Sequence, residues 1–587
     1  MTVLQALDGY YDRMSGRGEA ELPGFSREKI SFAIVLSAEG EPIDVIDFRV
    51  QSGKRLQPAL REVPAAVKRT AGISPNFLWD KTSYTLGRTG GEGKRTAEEH
   101  AAFKDAHLDL LADTEDEGLV ALRRFLEGWT PERFDQPPFK TEMLDANIVF
   151  ALDGTRGTID ERDAAKRLIL ARVVGEGPQG FCLVSGVQAS TRRLHPTIKG
   201  VDGAQTAGAA LVSFNLDAFT SYGKEQGANA PTSEAAAFRY GAALNRLLDR
   251  GVSRNRLKIG DATVAFWADA SGVGEQAAAA ADDMFAKMVE PPSDAAEAAK
   301  VRDELEKVAA GRPVGELDAK LAPGTRFHVL GLAPNAARLS VRYWLSDDFE
   351  AFAGRLARHY HDLAIEPAPW GSKLPSVSRL LVKTTALQEK FDNIPPLLAG
   401  EVARAVLTGS AYPRTLLAAA ITRLRAGDDP GFGWHAAVIK ACINRSFRTT
   451  KEPLPVARDP DHPSKAYQLG RLFYALEDAQ RAALGRVNAS ISDRYYGAAS
   501  ATPARVFGPL LRGLRNHVSD ARKRKTGGWI EPRVAEIMSH LPPDLPKTLS
   551  LEDQGRFAVG YYHERGTRPN KDIPADDDAA DDKGDPK

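Results

Sequence analysis

The spacing of apolar residues changes character partway along the chain. Up to about residue 345, short β-branched and aromatic runs alternate with helical stretches; beyond it, Leu-, Ala- and Arg-rich segments repeat at helical spacing. Residues 30–48 read as two β-rich runs around a Glu39-Gly40-Glu41-Pro42 turn, a hairpin pattern. The aromatic stretch 76–86 predicts a strand with its flanking loop, followed by a flexible, basic glycine-rich segment at 87–95. Residues 147–152, 181–184, 209–214, 258–268, 325–332 and 339–345 also predict strands. Helical periodicity marks 96–126, 233–248 with Ser233 as N-cap, and the Ala-rich stretch 269–311. Further helices are expected at 464–484, 501–525 and 532–541.

These patterns predict an α+β fold. A mixed α/β region spans 1–345, a helical connecting region 346–450, a proline-rich linker 451–463 and a C-terminal helical bundle 464–571, with an acidic tail at 572–587. The first eleven residues read as the start of an amphipathic helix and not as a signal peptide. No window approaches 18 apolar residues, so no membrane partner is expected.

Composition adds little until charge is resolved along the chain. Hydrophobic residues make up 43% and charged residues 27%, an ordinary globular balance. Cys182 and Cys442 are too few for a disulfide framework or a four-thiolate zinc site, which points to a reducing, cytoplasmic setting. Lys and Arg total 78 against 78 Asp and Glu, and that zero argues at first against a nucleic-acid binder. It is a cancellation. Residues 572–587 hold seven Asp and two Lys, net −5, and with little apolar content they are expected to form a solvated tail. Residues 505–533 carry eight Lys or Arg against Asp520 and Glu531, net +6.

The common catalytic signatures are missing: there is no GxxxxGK[ST], GxSxG, HExxH or CxxC. His359, His361 and Asp362 form the one metal-like cluster. On a helix, positions two apart point about 200° from each other, so both histidines cannot share an ion. A metal-dependent nuclease is therefore the weakest of the open readings. Cys182 lies in the apolar run Phe-Cys-Leu-Val without a basic neighbour and reads as a packing thiol. No metal or cofactor is expected.

The most informative stretch is 186–248. It opens with Arg192, Arg193, His195 and Lys199, passes a glycine-rich loop, then presents Asn215 and the run Ser221-Tyr-Gly-Lys-Glu-Gln-Gly-Ala-Asn229 before a helix. Lys, Gln, Asn and Tyr between glycines supply partners for base edges and phosphates; a polar surface loop is the plain alternative. The stretch SFNLDAFTSYGKEQGANAPTSEAAAFRYGAALNRLL resembles the signature of the large subunit of the type I-C CRISPR surveillance complex, Cascade. Four more segments resemble the same Csd-type family in the same order: NFLWDKTSYTLG, FHVLGLAPNAARLSVRYW, AYQLGRLFYALEDAQ and ISDRYYGAASATPARVFGPLL.

The resemblance implies a non-catalytic subunit that sits near the 5′ handle of the guide CRISPR RNA. It would read the protospacer-adjacent motif in target duplex DNA, aid opening, stabilise the R-loop and displaced strand, and dock the helicase-nuclease. Backbone, handle-binding and small subunits of Cascade would be its protein partners. With no methionine between Met288 and Met538, a separately translated small subunit would need a non-Met start, for example at Val456 or Leu469.

For motif reading the candidates are Tyr222, Lys224, Gln226 and Asn229 with Asn215, and a second group of Asn76, Lys81, Ser83 and Tyr84. For phosphate contacts they are Arg192, Arg193 and Lys199, and the helically spaced Arg505, Arg512, Arg515 and Arg522, with Tyr495, Tyr496 and Trp529 available for stacking. A purely structural scaffold whose loops bind protein is the main alternative.

Overall fold

The computed structural model describes residues 1–567 except 53, 54, 68, 70, 71, 174–177, 372, 387, 389, 391, 392, 447–451 and 486. The acidic tail and Lys451 of the proline-rich segment therefore lie outside the described residues. Strands concentrate in the N-terminal half and helices in the C-terminal region, an α+β chain. It forms two compact units: one of residues 2–197 and 210–244, the other of residues 1, 198–209 and 245–587. Among the described residues no helix is long and apolar enough to cross a membrane.

In the first unit, the run Phe-Ala-Ile-Val-Leu makes the central strand Phe32–Leu36 of a four-stranded sheet. It pairs antiparallel with Pro42–Asp47, as the turn between them predicts, and parallel with Asn147–Leu152. Period-two alternation divides these strands between two cores. Phe32, Ile34, Leu36, Ile148 and Phe150 join the larger one with Leu122 and Phe125 of helix Glu117–Gly128. Ala33, Val35, Val149 and Ala151 join a smaller one with Val63 and Trp79. A strand buried on both faces has no room for polar side chains, which is why this run is unbroken.

Three predicted strands are corrected. Residues 76–86 form loop, the two-residue strand Asp80–Lys81 and one helical turn, Thr82–Thr85. Here the buried Asp80 carboxylate accepts the Asn76 and Lys81 N–H groups at 2.8 and 2.9 Å, a local alternative to ladder pairing. The stretch 181–184 leaves its strand at Phe181 and turns, and 209–214 is extended only at Ala209–Ala210. The 96–126 periodicity resolves into two helices, Thr96–Leu110 and Glu117–Gly128.

In the second unit, strands Arg256–Ile259, Ala262–Ala268, Arg326–Asn335 and Arg338–Asp348 pair antiparallel in that order. Helices Glu275–Val289, Ala295–Ala309 and Phe349–Leu363 join them in an apolar cluster that runs on without a break from Leu257 into the C-terminal helices. The proline-rich residues 452–463 lie against this body. Leu454 is buried and exchanges two bonds with the Asn444 side chain at 2.8 and 2.9 Å, and the Val456 carbonyl accepts Glu366 N–H at 2.8 Å.

Helix Lys465–Leu484 is the axis of the bundle, and every residue from Ala466 to Ala479 is buried. Its Gly470 and the Gly560 of helix Leu551–Arg565 let the two backbones touch. A methyl at Gly470 would meet the Phe557 carbonyl carbon at 2.8 Å, and one at Gly560 would meet the Tyr467 carbonyl carbon at 2.9 Å. Polar groups in so dry an axis must be satisfied internally. Arg471 donates to Glu564 at 2.7 Å, Glu536 at 3.0 Å and Gln468 at 2.7 Å. Burial works to raise the Glu564 carboxyl, but Arg533 and Arg471 hold it below the usual carboxylate range.

Candidate nucleic-acid interface

In the first unit, residues 221–224 make a tight turn in which Lys224 N–H donates to the Ser221 carbonyl at 3.0 Å. Both central residues are left-handed, Tyr222 at φ 51° and Gly223 at φ 70°, the geometry of a type I′ turn. Asn or Gly normally occupies the first position; a tyrosine there is backbone strain of the kind stored at functional sites. The Tyr222 side chain is 97% exposed, so no packing compensates for it.

Asn229 holds the loop from inside. Its amide accepts Ser221 N–H at 3.1 Å and donates to the Lys224 and Gln226 carbonyls at 2.9 and 3.1 Å. Asn229, expected to read the motif, has its amide bonded to the loop backbone, where it positions Lys224 and Gln226. Gly227 N–H donates to the Arg193 carbonyl at 2.9 Å, and a methyl at Gly227 would lie 2.7 Å from that oxygen. Only glycine lets the loop rest on the 192–193 backbone.

Arg193 and Lys224 are exposed, and neither has an ion-pair partner among the described residues. The exposed Glu225 lies between Lys224 and Gln226. Arg192 is paired with Glu234 at the start of helix Glu234–Leu248, whose N-cap is Ser233 as expected. Its charge is thus partly spent, a pairing that sequence spacing of 42 residues gave no way to see. Asn215 is exposed, and Lys199 lies in the other unit. His195 is buried, its Nδ1 2.6 Å from the Tyr240 hydroxyl, and burial lowers its basicity.

Beside this loop stands the hairpin of Gln179–Phe181 and Gln188–Ser190. Leu183 N–H reaches the Pro231 carbonyl at 2.9 Å. Cys182 is fully buried, and its sulfur accepts N–H groups of Ser185 and Ser233 at 3.4 and 3.2 Å. Burial raises the thiol, but these donors outweigh it and bring it down to about 7, so backbone dipoles do what no cation does here. Phe181, Leu183 and Val187 point outward, each more than half exposed. The sequence reading missed this face because alternating apolar residues look the same in a core strand and in a bare hairpin.

The second group expected to read the motif is mostly buried. Asn76, Ser83 and Tyr84 are buried. Asn76 accepts Val67 N–H at 2.9 Å, and the Arg69 guanidinium stacks 4.2 Å from the Tyr84 ring centre while pairing with Asp80. These contacts hold the turn together and leave only Lys81 of the group exposed. In the adjoining basic segment Arg88 pairs with Asp135 at 2.8 Å and Lys94 with Glu92 at 3.0 Å.

In the C-terminal unit, helix Pro503–Lys523 buries Val506, Phe507, Val518 and Ala521. At about 100° per residue, Arg505, Arg512, Arg515 and Arg522 fall within an arc of about 100° on the opposite side. All four are exposed, as the spacing predicts. Arg522 pairs with Glu531; the other three have no ion-pair partner among the described residues. Of the stacking candidates, Tyr495 is exposed, Tyr496 is buried against Phe557 and Tyr561, and Trp529 carries Arg533 5.3 Å from its ring.

The histidine cluster splits apart. His359 is buried with Nδ1 2.5 Å from the Tyr412 hydroxyl, while Asp362 takes Arg445 at 2.7 Å. Among the described residues no three His, Cys, Asp or Glu side chains converge on a metal position.

Two comparisons bear on these surfaces. A family model described as CRISPR-associated protein (Cas_Csd1) matches residues 7–568. No curated protein matches the chain.

Proposed function

The chain belongs to the CRISPR-associated Csd1 family, and from that premise we propose that it is the non-catalytic large subunit of a type I-C RNA-guided surveillance complex. In this reading it sits by the guide RNA handle with the backbone, handle-binding and small subunits. It reads the protospacer-adjacent motif in duplex DNA, aids strand separation and docks the helicase-nuclease. Lys224 and Gln226 face base edges, Tyr222 stacks at the turn apex, and Arg193 meets phosphate. The exposed arginines of helix Pro503–Lys523 track the displaced strand.

The observation that carries the motif-reading assignment is the 221–229 loop itself. It is braced internally by Asn229 and seated on residues 192–193, yet it presents Tyr222 and Lys224 to solvent. Such preorganisation favours binding because less side-chain and loop freedom is lost on contact.

The test uses the assembled complex and duplexes that carry or lack the motif. Lys224→Ala and Gln226→Ala should leave assembly intact and lower motif-dependent affinity by about 5- to 150-fold, the worth of one good base contact. Unchanged discrimination by both variants would remove the loop from motif reading. The bare Phe181–Val187 face favours a second reading, in which this side docks a protein subunit. Loss of assembly on changing Leu183→Ser, with DNA selectivity kept, would mark that outcome.

A further inference from the structure

In the C-terminal unit an open cleft of about 440 Å³ is lined by Arg458, Trp529, Pro532, Arg533, Glu536 and Thr567. That volume falls within the range of small-ligand sites. Its polar walls are fixed in place. The Arg533 guanidinium bonds the Glu564 carboxylate, the Glu564 carbonyl at 2.9 Å and the Thr567 hydroxyl at 2.6 Å, and it lies 5.3 Å from the Trp529 ring centre. Arg458 donates to Glu564 at 2.8 Å and stands 3.5 Å from Glu536. The fully buried Arg471 pairs with both of those carboxylates.

Charge decides what such a cleft can hold. Arg458, Arg471 and Arg533 are matched by Glu536, Glu564 and Asp478, three charges against three. A phosphate gains no net attraction from a balanced set. A flat, neutral group that both donates and accepts hydrogen bonds does fit. Arg471 takes one lone pair on each Glu536 oxygen and leaves a second on each, while Arg458 Nη1 has no hydrogen-bond partner among the described residues. Acceptors and donors thus stand side by side, and the Trp529 ring adds a face for stacking. Of the parts of a nucleic acid, only a base is flat, neutral and carries both kinds of group. In a duplex its pairing edge is spent and its faces are covered, which leaves an unpaired base.

We infer that this cleft seats one unpaired base of single-stranded DNA, stacked on Trp529 with its edge between Glu536 and Arg458. The inference rests on the reading of the chain as a nucleic-acid-binding subunit. Glu531, two residues past Trp529, pairs with Arg522 of helix Pro503–Lys523, so a direct contact joins the cleft's helix to the basic one. Because the ionic groups of the cleft are already locked to one another, seating a base costs little side-chain freedom. Every base offers a face to stack, so the site is tolerant of sequence.

The direct test is photo-cross-linking of the full, unaltered chain to a short single-stranded oligonucleotide that carries 8-bromoadenine, mapped by peptide mass spectrometry. Links should fall on the tryptic peptide 526–533, in which Trp529 is the one aromatic residue, and should be lost when the same strand is annealed to its complement. Links confined to other peptides would overturn the cleft and keep the nucleic-acid reading; no links together with no strand binding would overturn both. The second test measures single-strand affinity by anisotropy. Trp529→Ala should weaken binding by about 5- to 150-fold, the worth of one stacked base, and Trp529→Phe should recover most of that loss. A strand of abasic residues should bind the parent and Trp529→Ala alike. Equal loss on the abasic strand would assign Trp529 to folding alone and refute the base site.

Discussion

Replacing Gly560 by alanine tests whether backbone contact between helices sets the stability of the C-terminal bundle. In isolation the change favours a helix by about 1 kcal/mol. Here the added methyl would stand 2.9 Å from the Tyr467 carbonyl carbon, with its oxygen closer still. Ordinary carbon contacts begin near 3.5 Å, so the helices must part by roughly 0.5–1 Å, and a gap of that size forfeits a quarter to a half of each affected contact. Because the obstacle is backbone on a fully buried helix, no rotamer change relieves it. Overpacking at the upper end of its usual range, about 3 kcal/mol, less the propensity gain leaves about 2 kcal/mol of net destabilisation. Gly513→Ala is the matched control: it is helical, and a methyl there meets nothing within 4 Å. It should stabilise by up to about 1 kcal/mol. Urea unfolding followed by circular dichroism should move the two midpoints in opposite directions. A Gly560→Ala protein as stable as the parent would refute the close-approach argument.

Other outcomes follow from single features. Gly227→Ala should push the 221–229 loop off the Arg193 carbonyl, cost about 1–3 kcal/mol of stability by overpacking, and lower motif-dependent affinity as far as Lys224→Ala does; unchanged DNA affinity would show that the loop's seat does not matter. Burial depresses His328 and His435 to about 4 and His359 and His563 to about 3. Below pH 6.5 the unfolded chain takes up protons that the folded one excludes, so stability is full above that pH and is lost as acid is added. Four such groups give a slope approaching about 5 kcal/mol per pH unit, and urea midpoints that stay flat from pH 7 to 5 would contradict their burial. Replacing Arg505, Arg512 and Arg515 together by alanine should reduce the salt slope of single-strand binding by about two units. An unchanged slope would take the displaced strand off this helix.

Much of the fold was legible because burial imposes a period on sequence. The run Phe32–Leu36, the helix after Ser233 and the arginine spacing of helix Pro503–Lys523 each carry their geometry in local pattern, and each forms where the pattern puts it. The zero net charge likewise resolved, from sequence alone, into one acidic and one basic segment. The candidate site was legible in part: loop, turn and neighbouring arginines were found, but the role of each side chain was not. Asn229 and Asn76 have the same chemistry as a base-reading amide, and their inward bonds appear only when the backbone they brace is in place. Arg192 and Glu234, or Arg471 and Glu564, meet across 42 and 93 residues of chain, and no local rule pairs them. Periodicity states which face of an element is apolar. What covers that face, or leaves Phe181 and Leu183 bare, is decided by the packing of distant segments, because burial is a property of the whole fold and not of the segment that carries it.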